Sequence, residues 1–183
     1  MSGRVAVVVG NPKPASRTLA AARYVATELT GREPDLVVDL ATYGPTLLDW
    51  ADPVIAGLVA DVGAADLVVV ASPIYKTAYT GLLKLFLDRF AQYTGLSGVT
   101  VPLMLGATPL HALTGEHTLR PVLSELGGTV PGRALFVLES AFDDPVAYAD
   151  WLATTRPLVD TLLTARSTAG QTARSTAGQG VPA

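Results

Sequence analysis

The stretch VAVVVGNPKPASRTLAAARYV, residues 5–25, joins two different patterns. Residues 5–9 are all apolar and mostly β-branched, which predicts a strand buried on both faces, as in a parallel sheet. From residue 16 onward the apolar residues follow a helical period. Between the two lies GNPKPASRT, so we expect a strand, a polar loop at its carboxyl end and a helix that begins at the loop.

The same apolar pattern recurs four times along the chain. The runs are DLVVDLA, DLVVVAS, VTVPLMLGA and ALFVLES, at residues 35–41, 66–72, 99–107 and 134–140. Segments with helical period lie at 16–30, 53–64, 79–93, 112–126 and 145–165. Strands that alternate with helices predict an α/β doubly wound fold, with a five-stranded parallel sheet and helices on both faces. Such sheets bind ligands beyond the carboxyl ends of their strands, which points to the loops after the first, third and fourth strands.

Composition and charge exclude several classes of protein. The 183 residues have the length of one domain, and a net charge of −3 argues against a nucleic-acid-binding surface. The chain has no cysteine, so it has neither disulfides nor thiolate metal ligands. No segment approaches the ~20 apolar residues that span a membrane, and the first apolar run lacks the pattern of a signal peptide. We therefore expect a cytoplasmic protein.

The end of the chain has a different composition. TARSTAGQ at residues 164–171 is repeated without change at 172–179 and is followed by GVPA. Such small and polar residues bury too little apolar surface to offset the entropy lost on ordering. We therefore expect one domain over residues 1–165 and a repetitive, disordered tail over 166–183.

The loop after the first strand lacks the glycine spacing of dinucleotide and triphosphate loops. Just before a helix, however, it offers amide, hydroxyl and cationic donors, from Asn11, Lys13, Ser16, Arg17 and Thr18. Main-chain N–H groups and the positive end of the helix dipole favour a phosphate there, and a monoester fits better than a pyrophosphate. The alternative is that Ser16 only caps the helix.

Two further loops offer surface for a flat heterocycle. After the third strand, Pro73 fixes an extended exit, and Ile74 and Tyr75 present apolar and aromatic surface. The alternative is that Tyr75 and Tyr79 are ordinary half-buried aromatic residues. After the fourth strand, Gly106 allows a ligand to approach closely, and Thr108 is placed to hydrogen-bond a ring carbonyl.

The fourth helix contains Pro121, which has no N–H group for the carbonyl of His117. We therefore expect a distorted turn over residues 114–121, either a kink or a one-turn π-bulge, and such bulges often accompany function. His111 and His117 lie six residues apart without a carboxylate cluster, so we expect no metal site. Ser72 lies outside a nucleophile elbow, which argues against a hydrolase.

Taken together, the three loops resemble those of the NADPH-dependent FMN reductases of the flavodoxin-like superfamily. The likeness is strongest to the reductases that supply reduced flavin to alkanesulfonate monooxygenases and related two-component systems. GNPKPASRT resembles their Gly-Ser-Pro-Arg-x-x-Ser-Arg-Ser loop, with Asn11 and Lys13 in place of Ser and Arg. SPIYKTAYTGLLKLFLD is similar to Thr-Pro-Val-Tyr-Lys-Ala-Ala-Tyr-Ser-Gly-Ala-Leu-Lys, and GAT followed by HALTGEHTLRPVLSEL matches the third loop and its helix. The likeness covers residues 4–140.

The resemblance implies a flavodoxin-like strand order, 2-1-3-4-5, and a site for FMN. Its phosphate is expected at Asn11, Lys13, Ser16, Arg17 and Thr18. The isoalloxazine ring is expected on Pro73, Ile74, Tyr75 and Lys76, with Gly106, Ala107 and Thr108 near its pyrimidine edge. In relatives with a π-bulge, the residue at the position of His117 lies at a subunit interface, and flavin is an exchanging substrate. Ala107 stands where the family usually has a second glycine.

The function implied is that of an NAD(P)H:FMN oxidoreductase, in which nicotinamide C4 passes a hydride to flavin N5 and the protein orients the two. This chemistry accounts for the lack of an acid–base pair among the candidate residues. The expected cofactors are FMN and NADPH, with NADH as an alternative. The expected partners are a flavin-dependent monooxygenase that receives reduced FMN and further copies of the chain, in a homodimer or homotetramer. Alternative functions are an FMN-bound quinone, azo or nitro reductase and a flavin-binding electron-transfer protein.

Overall fold

The computed structural model describes residues 3–177, with side chains over 3–169. All five strands are parallel and form one sheet in the order β2-β1-β3-β4-β5. They are β1 Val5–Val9, β2 Leu36–Asp39, β3 Leu67–Pro73, β4 Val99–Gly106 and β5 Leu135–Leu138. The predicted flavodoxin-like, doubly wound sheet is confirmed in strand number, direction and order.

Helices cover both faces of the sheet, as predicted. They are α1 Arg17–Thr30, α2 Pro53–Gly63, α3 Gly81–Leu87, α4 Arg120–Glu125 and α5 Val146–Ala177. A π-helical turn, Gly115–Leu119, leads into α4. Short 3-10 turns lie at Leu40–Thr42, Gly44–Leu48, Pro109–His111 and Glu139–Ala141. Helices α1 and α5 pack on one face, and α2, α3 and α4 pack on the other.

The apolar run of β1 has no alternating polar residues because both faces of this strand pack against helices. Val5, Val7 and Val9 contribute to the core beneath α1 and α5. Ala6 and Val8 contribute to the core beneath the other three helices. Because both faces are covered, every side chain of the strand is buried, and a polar residue at any of these positions would lose its hydration.

Helix α3 is shorter than its pattern predicts, with seven residues in place of the segment 79–93. The chain leaves helical geometry after Asp88, and Tyr93 has a left-handed backbone with φ of 64°. The N–H of Tyr93 donates to the carbonyl of Glu125 at 2.7 Å, at the end of α4. A tertiary hydrogen bond therefore takes the place of a further helical turn.

Helix α5 extends beyond the predicted end of the domain at residue 165. It continues to Ala177 and includes residues 166–177, while 178–183 lie outside the described residues. Arg166 donates to the carbonyl of Ser97 and lies 3.6 Å from Asp66. The repeat is rich in alanine, the best helix former, so its composition is compatible with a helix that continues from an anchored turn.

Within residues 3–177, no helix is both long enough and apolar enough to cross a membrane.

Candidate active site

Three loops meet at the carboxyl edge of the sheet, because β1, β3 and β4 are neighbours. Main-chain hydrogen bonds continue the strand pairing past the ends of β1 and β3. The N–H of Gly10 donates to the carbonyl of Ala71 at 2.8 Å, and the N–H of Ile74 donates to the carbonyl of Leu105 at 2.7 Å. The hydroxyl of Thr80 donates to the carbonyl of Gly10 and so ties the first loop to the second. The three loops that carry the predicted site residues are thus adjacent.

The first loop leads directly into the amino end of α1. Ser16 has an extended backbone, and its Oγ accepts a hydrogen bond from the N–H of Leu19 at 3.2 Å. The capping role that was left open as an alternative is therefore present. A serine hydroxyl that accepts a hydrogen bond keeps its own proton to donate, so capping and anion binding are compatible in one residue.

Asn11 holds the start of the first loop in place. Its Nδ2 donates to Thr18 Oγ1 at 3.0 Å, and its Oδ1 accepts from the N–H of Lys13 at 2.9 Å. Thr18 is only 1% exposed and lies beneath the loop, whereas Lys13 is exposed. Thr18 and Asn11 therefore contribute to the shape of the loop, and Lys13 contributes an exposed cationic side chain at its surface.

Arg17 extends toward the loop that follows β5. Its guanidinium pairs with Glu139 at 3.2 Å and lies 5.7 Å from the ring centroid of Phe142. Both charged side chains are more than half exposed, and an exposed ion pair of this kind contributes little to stability. Arg17 can therefore exchange this partner for another anion at small cost.

The second loop, residues 74–80, is a tight turn with an unusual backbone. Tyr75 and Ala78 exchange main-chain hydrogen bonds at 2.9 and 3.2 Å. Lys76 and Thr77 between them have φ of 53° and 63°, in the left-handed region that non-glycine residues rarely adopt. Tyr75 is 54% exposed, so about half of its surface is accessible to a ligand. The turn presents an aromatic ring and a lysine beside the first loop.

The third loop begins at Gly106, where there is no room for a side chain. A Cβ there would lie 2.7 Å from Phe136 Cε2 and 3.1 Å from Ile74 Cδ1. The glycine therefore lets the second and third loops pack together. Ala107 is exposed, and Thr108 Oγ1 accepts from the N–H of Leu110 at 3.4 Å, at the start of a 3-10 turn.

The distorted turn predicted from Pro121 is confirmed as a π-helical turn over Gly115–Leu119. The N–H of Arg120 donates to the carbonyl of Gly115, five residues back. His117 lies in this turn and is exposed. The preceding loop leaves Leu110 92% exposed and Leu113 48% exposed, so an apolar surface adjoins the π-turn.

Tyr79 and Lys84 keep their ordinary charge states at neutral pH. Burial raises the pKa of Tyr79, and the hydrogen bond with Asp88 raises the pKa of Lys84. Both shifts favour the protonated form, so Tyr79 stays neutral and Lys84 stays cationic. Over the part of the chain that the structure describes, no group of three or more His, Cys, Asp or Glu side chains is placed to hold a metal ion.

The donor set fits a phosphate monoester joined to a flat ring. At the first loop, hydroxyl and cationic groups surround the amino end of a fourteen-residue helix, where the helix dipole favours an anion. At the second loop, the exposed ring of Tyr75 offers a surface for stacking. The three-loop surface thus combines a polar end with an aromatic end.

Comparison with known proteins agrees with this geometry. The model of a family described as NADPH-dependent FMN reductase matches residues 3–143. The chain belongs to this family. It is an FMN reductase with FMN and NAD(P)H as its cofactors, which confirms the family that the three loops indicated.

Individual members of the family match this chain over most of their length. The FMN reductase (NADPH) of Escherichia coli K12 is 30% identical over 152 residues, which are 81% of this chain and 76% of that protein. The NADH-dependent FMN reductase SfnF of Pseudomonas putida is 31% identical over 149 residues, 76% of this chain and 80% of that protein. The apo structure of an NADH:FMN oxidoreductase, EMOB, superposes with a TM-score of 0.76 at 26% identity and covers 90% of each chain.

Two residues at this edge were missed by the sequence pattern. Thr80 caps α3 through its Oγ, which accepts from the N–H of Leu83 at 3.1 Å. A threonine just before an apolar helical run is a usual cap signal and would have identified it. Asp39 ends β2, and its carboxylate accepts from the N–H of Ala15 at 2.9 Å. Nothing in the local sequence around Asp39 indicates this contact, because it joins residues 24 positions apart.

Proposed function

We propose that this FMN reductase binds FMN across the three loops as an exchanging substrate and releases reduced FMN to a partner, a flavin-dependent monooxygenase. The observation that carries the proposal is the junction of the first two loops at Gly10 and Thr80, which sets a helix amino end beside an aromatic turn. An FMN molecule has the matching shape, with a phosphate at one end and a flat ring at the other.

In this proposal the first loop holds the phosphate. Ser16 donates its hydroxyl proton while it caps α1, and Lys13 and Arg17 supply positive charge. Asn11 and Thr18 keep the loop open toward the ligand through their mutual hydrogen bond at 3.0 Å. The support is electrostatic, since Lys13 and Arg17 are exposed and flank Ser16 at the amino end of α1, where the first N–H groups of a helix lack partners within the helix.

The second and third loops hold the ring. Pro73, Ile74, Tyr75 and Lys76 form the surface on which the ring lies, and Gly106, Ala107 and Thr108 border its pyrimidine edge. Three features support this part of the proposal: the exposure of Tyr75, the left-handed backbone of Lys76, and the packing of Gly106 against Ile74.

When bound, FMN supplies N5 of its ring as the acceptor of a hydride from C4 of the reduced nicotinamide. The side chains of this protein orient the two molecules face to face and exclude water from between them. No side chain has to gain or lose a proton in the transfer, which agrees with the absence of an acid–base pair among the candidate residues.

Release of flavin, assembly and location belong to the same proposal. The π-turn at Gly115–Leu119, with exposed His117 and the neighbouring Leu110, supports an interface between copies of the chain in a homodimer or homotetramer.

Both NADPH and NADH are named for relatives of about 30% identity, and we propose NADPH as the preferred donor. The cytoplasmic location that belongs to this proposal is compatible with a sequence that has no cysteine.

The combined substitution of Ser16→Ala and Arg17→Ala tests the phosphate site. We expect the double variant to bind FMN at least about tenfold more weakly, because two donors to the phosphate are lost. Its affinity for riboflavin, which has no phosphate, should change by less than about twofold. Quenching of flavin fluorescence on titration measures both dissociation constants.

Asp52→Ala is the matched control. Asp52 caps α2 as Ser16 caps α1, and its Oδ1 accepts from the N–H of Ile55 at 2.9 Å. The control should therefore lose about 1 kcal/mol of stability, like other lost caps, and keep the affinity for FMN. An equal loss of affinity for FMN and riboflavin in the double variant would place the phosphate elsewhere.

A further inference from the structure

We infer that Asp39 is a positioning residue for the phosphate of FMN, acting through the main chain of the first loop. The inference rests on the proposed function and adds to it a residue on a different strand. Asp39 contacts the loop and has no place in the donor set described above. Its expected effect is on the preference of the protein for FMN over riboflavin.

Asp39 stands at the point where the sheet meets the loop. It is the last residue of β2 and pairs with Val9, the last residue of β1. Its side chain alternates with that of the buried Val38 and so points to the face of the sheet that carries α1. There, Asp39 Oδ2 accepts a hydrogen bond from the N–H of Ala15 at 2.9 Å. A carboxylate on one strand thus fixes the main chain of a loop that follows its neighbour.

The hydrogen bond to Asp39 holds Ala15 in a strained backbone conformation. Its φ is 51°, so an alanine occupies a backbone conformation that normally favours glycine. Ala15 is exposed, so its methyl group contributes little burial to hold it in place. The charge-assisted hydrogen bond that its N–H donates to the carboxylate of Asp39 offsets the cost of this conformation. Without that bond, the loop would relax toward conformations that alanine prefers.

The position of Ala15 makes the effect specific for phosphate. The next residue is Ser16, whose hydroxyl and N–H stand at the amino end of α1. Asn11 fixes the loop at its beginning, and Asp39 fixes it at its end. A change of φ at Ala15 therefore moves the donors of the loop relative to the helix end. The surface at Tyr75 and Gly106 is supported by other strands and would stay as it is.

The second carboxylate oxygen of Asp39, Oδ1, also indicates that this residue does more than end β2. Oδ1 is buried and accepts no hydrogen bond from any residue within the described range. A buried carboxylate oxygen without a partner is costly for stability. Stability alone would therefore favour a residue with fewer acceptors at this position. The presence of a carboxylate at position 39 is explained if its charge strengthens the hydrogen bond that it accepts from the N–H of Ala15.

The test compares Asp39→Ala with Asp39→Asn in the full chain. The ratio of the dissociation constants for riboflavin and FMN is measured by fluorescence titration. Asp39→Ala removes the acceptor, and we expect the ratio to fall by about tenfold through weaker FMN binding. Asp39→Asn keeps a carbonyl oxygen for Ala15, and we expect it to restore the ratio to within about threefold of the parent protein.

Asp35→Ala is the matched control, because Asp35 makes the same kind of contact at the other end of β2. Asp35 Oδ2 accepts from the N–H of Val5 at 2.7 Å. We expect this variant to lose stability and keep the ratio. Should Asp39→Ala fail to fold, the double variant with Ala15→Gly lowers the backbone cost at residue 15 and gives the same readout. In that variant the ratio should still lie below that of the parent protein.

The outcomes separate the two proposals. A parent protein that binds FMN no better than riboflavin would overturn the phosphate site itself and the role of Asp39 with it. A parent protein that prefers FMN, together with an Asp39→Ala variant of unchanged ratio, would overturn the role of Asp39 alone. So would a folded Asp39→Ala variant that loses both flavins equally.

Discussion

The two ends of the same parallel sheet are built differently. At the amino end, carboxylates close the strands: Asp35 accepts from the N–H of Val5 at 2.7 Å, and Asp66 accepts from the N–H of Arg4 at 2.8 Å. At the carboxyl end, Asp39 reaches across to a loop and holds Ala15. The same interaction thus completes the fold at one end and shapes a binding loop at the other.

Backbone strain is confined mostly to the second of these ends. Four described residues other than glycine have positive φ, and three of them, Ala15, Lys76 and Thr77, lie in the loops of the candidate site. Such residues cost stability and persist where the surrounding structure holds them. The carboxyl edge therefore carries most of the backbone strain of the described residues, and there the strain lies in the loops that supply the donors.

The largest effect is expected from Gly10→Ala, where the carboxyl edge has no space. A Cβ at Gly10 would lie 2.3 Å from Leu83 Cβ and 3.0 Å from Leu83 Cα. The helix α3 would have to move, and with it the hydrogen bond from Thr80 to Gly10. We expect a loss of about 2–4 kcal/mol in the free energy of unfolding, measured by urea denaturation.

Gly81→Ala is the control for this substitution. Gly81 begins α3, and a Cβ there would meet no atom within 4 Å. Because alanine favours a helix, we expect a change within about 1 kcal/mol, with either no loss or a gain of stability. Equal destabilisation by the two substitutions would contradict the close contact between Gly10 and α3.

The sequence predicts the parts of this molecule that depend on local pattern. The β-branched run at 5–9 identifies a buried strand because both faces of a parallel sheet are covered. Pro121 predicts a distorted turn because it cannot donate to the carbonyl of His117, and the structure shows that this distortion is a π-turn rather than a kink. Both inferences need only neighbours in the chain.

Contacts between distant residues could not be predicted in this way. Arg17 pairs with Glu139, 122 positions away, and Asp39 holds Ala15, 24 positions away. Asp39 and Glu139 stand at the ends of the apolar runs of the two edge strands, and nothing in either run indicates which distant residue its carboxylate contacts. The end of α3 was misjudged for the same reason, since a bond from Tyr93 to Glu125 ends the helical pattern early.

A smaller effect on the free energy of unfolding is expected at the amino end of the sheet when the pH is lowered. Hydrogen bonds from Arg32 and from the N–H of Val5 lower the pKa of Asp35 from 3.8 to about 2. The stabilisation by this carboxylate is therefore complete above about pH 4 and is lost as the pH falls toward 2. Asp35→Asn should lower stability at neutral pH and have little effect near pH 2.

Urea denaturation of the parent protein and of Asp35→Asn across this range measures the difference. A gap between the two proteins that stays constant down to pH 2 would show that the carboxylate charge of Asp35 adds nothing to the closure of β1.

The smallest effect is expected from Arg166→Ala, at the same end. Arg166 donates to the carbonyl of Ser97 and approaches Asp66, and its side chain is about one-third exposed. We expect a loss of about 1 kcal/mol or less in the free energy of unfolding and no change in the dissociation constant for FMN. Weaker FMN binding in this variant would mean that the two ends of the sheet are coupled.

The most direct measurement of flavin as an exchanging substrate at the carboxyl edge is NADPH oxidation by the purified protein, with and without added FMN. The visible flavin absorbance of the sample is recorded first. We predict a colourless protein that oxidises NADPH only when FMN is supplied. A yellow protein that oxidises NADPH with a quinone and does not respond to added FMN would contradict this, and would make the flavin a fixed prosthetic group of a quinone or azo reductase.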